Sequence, residues 1–224
     1  MIEILYRNKD IVIIKKAPGV PTQSDLSGDD DAMLLTASGL LELGESKALW
    51  LVHRLDRVVG GLVVFARSKS AAATLSMLVG GRGMEKEYLA VVEGNAEGGI
   101  MQDYIYKDSA RGKAFIVDKP RRGAKEAVLE YSPISVVDTE RGALTLVRIK
   151  LHTGRFHQIR VQFSSRKMPL VGDGKYGSHD NRVKYPALYA SHLAFSSGGI
   201  SADVRSVPDI NEYPWSLFDK ECYK

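Results

Sequence analysis

VHRLDRVVGGLVVFA, residues 52–66, decides how the rest of the chain is read. Its second half, Leu62 to Ala66, is a short unbroken apolar run, the pattern of a strand buried on both faces. Its first half places a carboxylate, Asp56, on an expected loop just before that strand, with Arg54 and Arg57 beside it in sequence. A rigid strand next to a short loop is a good mount for a reactive group. Nearby guanidinium charge lowers a carboxylate's pKa and holds it ionised. A structural ion pair would use the same residue types, so these residues alone do not establish a site.

Outward from this stretch, Ile2 to Tyr6 and Ile11 to Ile14 read as strands around an Asn8-Lys9-Asp10 turn, and Ala17 to Pro21 break regular structure. Asp29 to Asp31 precede a helix expected over Ala32 to Leu43. Ser68 is placed to cap a helix through Ala71, Leu75 and Leu78 that Gly80 and Gly81 end. Tyr88 to Val92 reads as a central strand, followed by Ala127 to Tyr131, Leu144 to Leu151, Leu188 to Phe195 and Ile200 to Val204. A helix is expected to begin near Arg155, which would align Phe156, Ile159 and Phe163 in an apolar stripe beside a polar one of His157, Arg160 and Ser164. Trp215 and Phe218 suggest a short docked C-terminal helix. Strands outnumber helices and the βαβα alternation of a parallel sheet is missing. The reading is an α+β fold on a largely antiparallel, mixed sheet with flanking helices and loops, in one domain over residues 1–224.

Composition narrows the class. A hydrophobic share of 44% and a charged share of 26% are those of a soluble globular protein rather than a disordered one. The net charge of +4 permits phosphate binding. A single cysteine, Cys222, forbids an internal disulfide and is read as a surface thiol in a reducing compartment. The N-terminus shows no signal or transit pattern and no apolar run is long enough for a membrane span, so a cytoplasmic location is expected. Between Tyr104 and Lys125, Lys107, Arg111, Lys113, Lys119, Arg121, Arg122 and Lys125 form either a solvated hairpin or an arm that touches phosphates.

Several motifs fail. GDGKYG, residues 172–177, matches G-x-G-x-x-G, but the turn-like SHDN that follows opens no helix, so a dinucleotide site is set aside. The histidines show no metal-ligand spacing. A glycosidic hydrolase would need a second carboxylate, for which Asp173 is the one candidate.

A resemblance covers nearly the whole chain. His53-Arg54-Leu55-Asp56-Arg57 resembles the HRLD-x motif of the RluA-like pseudouridine synthases. In order around it, IVIIKKAPG (11–19) is similar to the family's opening hairpin, KEYLAV (86–91) to its K-x-Y-x-A-x-V strand, and TGRFHQIR (153–160) to its T-G-R-x-H-Q-I-R segment. PLVGDGKYG (169–177) resembles the stretch after it, and LYASHLAF (188–195) the late strand. The glycine match then becomes a chance overlap.

The resemblance implies a pseudouridine synthase fold and an RNA-modifying isomerase that uses no cofactor or metal. It acts on structured RNA, ribosomal or transfer, and is expected to be a monomer with no membrane or protein partner. The N1–C1′ bond of a uridine is cut, the base turns, and a C5–C1′ bond forms. Asp56 matches the essential carboxylate. Tyr88 matches the tyrosine expected to stack on the base, and Arg160 the arginine that pairs with the aspartate. A base inside a helix cannot be reached, so the target is expected to be flipped out, with Arg54 filling the gap. Arg57, Lys86, Arg155, His157 and Gln158 complete the expected RNA contacts. Two departures stand out: Val59-Gly60-Gly61 where the family has T-S-G, and Gln162 where histidine is common. The former supports an alternative, an inactive RNA-binding or RNA-folding factor that keeps the fold. The S4-type RNA-binding domain that many relatives carry in front is not expected.

Overall fold

The computed structural model describes residues 2–25, 27–120 and 122–224. Along the chain run β1 (Glu3–Arg7), β2 (Ile11–Lys16), α1 (Ala32–Glu42), β3 (Trp50–Leu51), β4 (Gly60–Ala66), α2 (Lys69–Gly80), β5 (Glu85–Glu93), β6 (Gly99–Asp108), β7 (Lys113–Val117), β8 (Ala124–Thr139), β9 (Gly142–Leu151), α3 (Gln158–Ser165), β10 (Leu188–Ser197) and β11 (Ile200–Arg205). Strand exceeds helix, about 39% against 19%, and the sheet is mixed, so the α+β reading holds. No helix of the described residues is long and apolar enough to cross a membrane. The chain divides into two compact units, Met1–Lys86 with Ala190–Pro208, and Glu87–Tyr189 with Asp209–Lys224.

In the first unit the strand order is β1-β2-β4-β10, with β3 on β4 and β11 on β10. The β1–β2 hairpin closes because Asn8 Oδ1 accepts the N–H groups of Asp10 and Ile11 at 2.8 and 2.9 Å. Asp31 Oδ1 accepts the Leu34 N–H at 2.9 Å and Ser68 Oγ the Ala71 N–H at 3.1 Å, so both helix starts are set by the expected caps. Every residue of β4 is buried, as its apolar run requires. Ile11 and Ile13 of β2, Leu62 and Val64 of β4, and Ala71 and Leu75 of α2 share one core with Leu193 and Phe195 of β10.

In the second unit the order is β5-β9-β8-β6-β7, every pairing antiparallel. The basic stretch of residues 107–125 holds the β6–β7 hairpin and the start of β8, while Arg121 lies outside the described residues. β8 runs well past the expected Tyr131 because the register shift between Pro133 and Ser135 absorbs the missing proline N–H. Helix α3 starts at Gln158, later than expected: His157 has φ 53° and cannot belong to it. Phe156 therefore leaves the expected stripe and stacks on the His157 ring at 3.8 Å. Gln158 to Phe163 are all buried, so Arg160 of the polar stripe is internal, while His157 and Ser164 are half-buried. Gln162 Nε2 donates to Asp103 Oδ2 at 2.7 Å. The C-terminal helix is a 3-10 turn, Trp215–Leu217, and Cys222, expected at the surface, packs against the core that holds Trp215 and Phe218.

Within Val59-Gly60-Gly61, Gly61 is tightly constrained. It has φ 114°, and a Cβ there would lie 2.3 Å from the Ala190 carbonyl oxygen. Gly61→Ala is expected to destabilise the protein by roughly 2–5 kcal/mol through backbone strain and overpacking, measured by urea unfolding.

Candidate active site

Asp56 lies in the first unit, on the irregular segment between β3 and β4, and is half-buried. Short contacts hold its neighbours. The Thr22 hydroxyl accepts the Leu55 N–H at 3.1 Å and donates to the Leu55 carbonyl at 3.0 Å. The Val59 N–H donates to the Asp56 carbonyl at 3.0 Å, closing a turn that leads into β4. The Gly19 N–H and the Arg57 carbonyl meet at 2.8 Å, and Arg57 Nε returns to the Gly19 carbonyl at 2.9 Å.

Beneath these contacts lies Lys16, at 0% exposure. Its Nζ donates to the carbonyls of Ala17, Val20 and Arg57 at 3.0, 2.6 and 3.1 Å, which uses all three ammonium hydrogens. Burial pushes its pKa down to about 7; the Asp56 charge pulls it up and Arg57 pushes it down further. In the sequence Lys16 stood out only as part of the IVIIKKAPG stretch, at the end of an apolar run.

Arg57 is exposed, and its guanidinium faces the carboxylates of Asp25 and Asp29 and the Ser27 hydroxyl. It fastens Asp25, Ser27 and Asp29 to the Asp56 turn. Arg54 is exposed. His53 Nε2 accepts the Val64 N–H at 3.2 Å, and burial with the Lys86 charge lowers its pKa to about 3, which holds the ring neutral. Lys86 is half-buried, and burial lowers its pKa as well.

Tyr88 and Arg160 belong to the second unit. Tyr88 is buried in β5 opposite Ile149. Arg160 forks onto Asp173, Nε to Oδ2 at 2.7 Å and Nη2 to Oδ1 at 2.8 Å, with both side chains buried. Both Asp173 oxygens thus meet Arg160, which removes Asp173 as the second carboxylate of a hydrolase. The Arg160 guanidinium carbon lies 5.0 Å from the centre of the Tyr176 ring. The Tyr176 hydroxyl meets His157 Nδ1 at 2.8 Å and accepts the Ala114 N–H at 2.8 Å. Burial, then the charges of Arg160, Lys175 and Lys107, lower the His157 pKa to about 3.

Gln158 is internal rather than open to RNA. Its Oε1 accepts from the Thr153 hydroxyl at 2.8 Å and the Arg155 N–H at 3.0 Å, which ties the TGR turn to α3. Arg155 is half-buried and its Nε donates to the Glu126 carbonyl at 2.7 Å. Lys107 Nζ lies 4.7 Å over the Phe156 ring. Sequence reading gave no role to Lys16, to Asp173 as the partner of Arg160 or to Tyr176, although all three lie in stretches that carried the resemblance, IVIIKKAPG and PLVGDGKYG.

The fold has solved counterparts. It matches human RNA pseudouridylate synthase domain containing 1 with a TM-score of 0.77 at 22% identity, over 100% of this chain and 88% of that one. Human domain containing 4 matches at 0.75 and 24%, over 93% and 89%. At such identity these two show the class of fold. The RNA pseudouridylate synthase family model matches residues 10–165, and the chain belongs to that family. An uncharacterized RNA pseudouridine synthase of Aquifex aeolicus is 33% identical over 87% of this chain and 65% of its own length. One of Haemophilus influenzae is 30% identical, over 87% and 82%. The tRNA pseudouridine synthase C of Haemophilus influenzae is 27% identical, over 90% and 87%. The chain thus spans somewhat under two thirds of the Aquifex relative and most of the other two.

Lys16 carries a pH prediction. Between about pH 7 and 10.5 the folded protein binds fewer protons at Lys16 than the unfolded chain does. Its linked stability therefore rises as pH rises through that window and is lost below it. Lys16→Met is expected to flatten that part of the stability curve, followed by urea unfolding at constant salt.

Proposed function

We propose that the chain converts specific uridines of structured RNA, ribosomal or transfer, to pseudouridine, with residues 1–224 as one catalytic domain and Asp56 as its essential carboxylate. The observation that carries this reading is the Asp56 turn. Its backbone is held on both sides by Thr22, Gly19 and Lys16, while its side chain is only half-buried. A carboxylate on a fixed backbone beside a buried ammonium is oriented before substrate arrives, and no reorganisation is needed at the moment of reaction.

The isomerisation is balanced within the nucleoside: the N1–C1′ bond breaks, a C5–C1′ bond forms, the C5 proton leaves and N1 gains a proton. The target base must leave its stack to be reached. Tyr88 supplies an aromatic face for the uracil and a phenol able to take the C5 proton. Arg160 supplies a fixed positive charge for the anion that the reaction uses. Arg54, exposed beside the Asp56 turn, enters the space the base vacates, and Lys86, Arg155 and the β6–β7 hairpin with Lys107 and Lys113 face phosphates. Arg57, His157 and Gln158 shape their own loops and are left out of those contacts. The tRNA pseudouridine synthase C of Haemophilus influenzae supports transfer RNA, and the ribosomal large subunit pseudouridine synthase D of Borreliella burgdorferi, 29% identical over 82% of this chain and 57% of its own length, supports ribosomal RNA.

The decisive variant is Asp56→Asn. It is expected to lower pseudouridine formation by at least about 10³-fold while RNA binding is kept. Formation is read by tritium release from cellular RNA tritiated at uridine C5. An Asp56→Asn protein as active as the wild type sinks the assignment. A wild type that forms no pseudouridine, with every cellular site intact after gene deletion, favours the RNA-folding alternative.

A further inference from the structure

We propose that the Gly172–Gly177 turn is the positioning device of Arg160, with Asp173 fixing the edge of its guanidinium and Tyr176 its face. This rests on the reading of Arg160 as part of the reacting site. It also gives a role to the one glycine motif that the dinucleotide reading left without a function.

An arginine side chain has four rotatable bonds and fixes nothing by itself. A two-point fork onto one carboxylate sets the guanidinium plane, because two parallel N–H···O bonds permit one in-plane orientation. Asp173 makes that fork at 2.7 and 2.8 Å, with 1% of its side chain exposed. An aromatic face against the guanidinium then resists tilting out of that plane. Tyr176 presents such a face 5.0 Å from the guanidinium carbon.

Both clamps are themselves anchored. The Asp173 N–H donates to the Leu170 carbonyl at 2.9 Å, and the Asp173 carbonyl accepts from Tyr176 at 2.9 Å and Ser178 at 3.2 Å. Gly172 is required by this path: its φ is 82°, and a Cβ would meet Val183 Cγ2 at 2.3 Å and the Tyr185 carbonyl oxygen at 2.8 Å. At the far end, the Tyr176 hydroxyl accepts the Ala114 N–H, so its own hydrogen is available to neutral His157 Nδ1. The ring is thus tied at its hydroxyl to β7 and to the residue that opens α3, the helix bearing Arg160.

A buried carboxylate could serve stability alone, so the test separates kcat from folding. Tritium release is measured for the full chain on total RNA, tritiated at uridine C5, from cells that lack the gene. RNA affinity is read by filter binding and Tm by calorimetry. Tyr176→Leu is expected to lower kcat by about 10²-fold with KM and RNA affinity within roughly threefold of wild type, as misplacement of a reacting group does. Tyr176→Phe, which keeps the ring, should recover about tenfold over Tyr176→Leu. Asp173→Asn should lower kcat at least as far as Tyr176→Leu; if it does not fold, the Tyr176 pair decides. Tyr213→Leu is the structural comparison. It removes the ring 4.1 Å from Arg182 in a more exposed arginine–carboxylate cluster with Asp180, and should lower Tm without lowering kcat. A Tyr176→Leu protein that loses Tm but keeps wild-type kcat overturns the proposal, provided Asp56→Asn is inactive in the same assay. A wild type that releases no tritium overturns this proposal and the proposed function together.

Discussion

A buried lysine organises the loop that bears Asp56. Lys16 Nζ gathers three carbonyl oxygens, two from the segment just after β2 and one from Arg57, next to Asp56. The lysine satisfies all three at once and ties two irregular segments together. The turn at Asp56 thereby acquires a defined backbone although it belongs to no helix or strand. Its flank is continued by β4, the most completely buried strand of the first unit.

Arginine–carboxylate pairs recur, and their burial decides what each is worth. Arg57 with Asp25 and Asp29, and Arg182 with Asp180, leave about 40% of the arginine side chain exposed. Pairs in that setting are screened by solvent and mainly order local loops. Arg160 with Asp173 is different, at 6% and 1% exposure. Removing one member would strand the other charge in the interior, at about 3–5 kcal/mol. A protein that needs only stability does better with apolar side chains at such a position. The retained charge fits the positioning role proposed for the GDGKYG turn.

Much was legible in the chain itself. The apolar run of β4, the caps at Asp31 and Ser68, the Asn8 turn and the strand-rich α+β class all follow from signals that act over two to five residues, where backbone sterics and capping bonds are decided. The order of motifs around Asp56 was enough to identify the family that the comparison then established.

Other features were decided only by the tertiary structure, because their partners lie far along the chain. Lys16 meets Arg57 across 41 residues, and Arg160 meets Asp173 across 13. Gly61 must be glycine because Ala190 passes within 2.3 Å of where its Cβ would be, whereas locally Gly60 was just as plausible. Helix α3 starts at Gln158 because the preceding His157 takes a left-handed turn whose ring bonds to Tyr176, a contact no helical periodicity contains. Strand β8 outlasts its proline because the ladder with β9 shifts register there. Local propensity specifies the elements and their ends; burial of charge and close backbone approach, which are long-range, choose the partners.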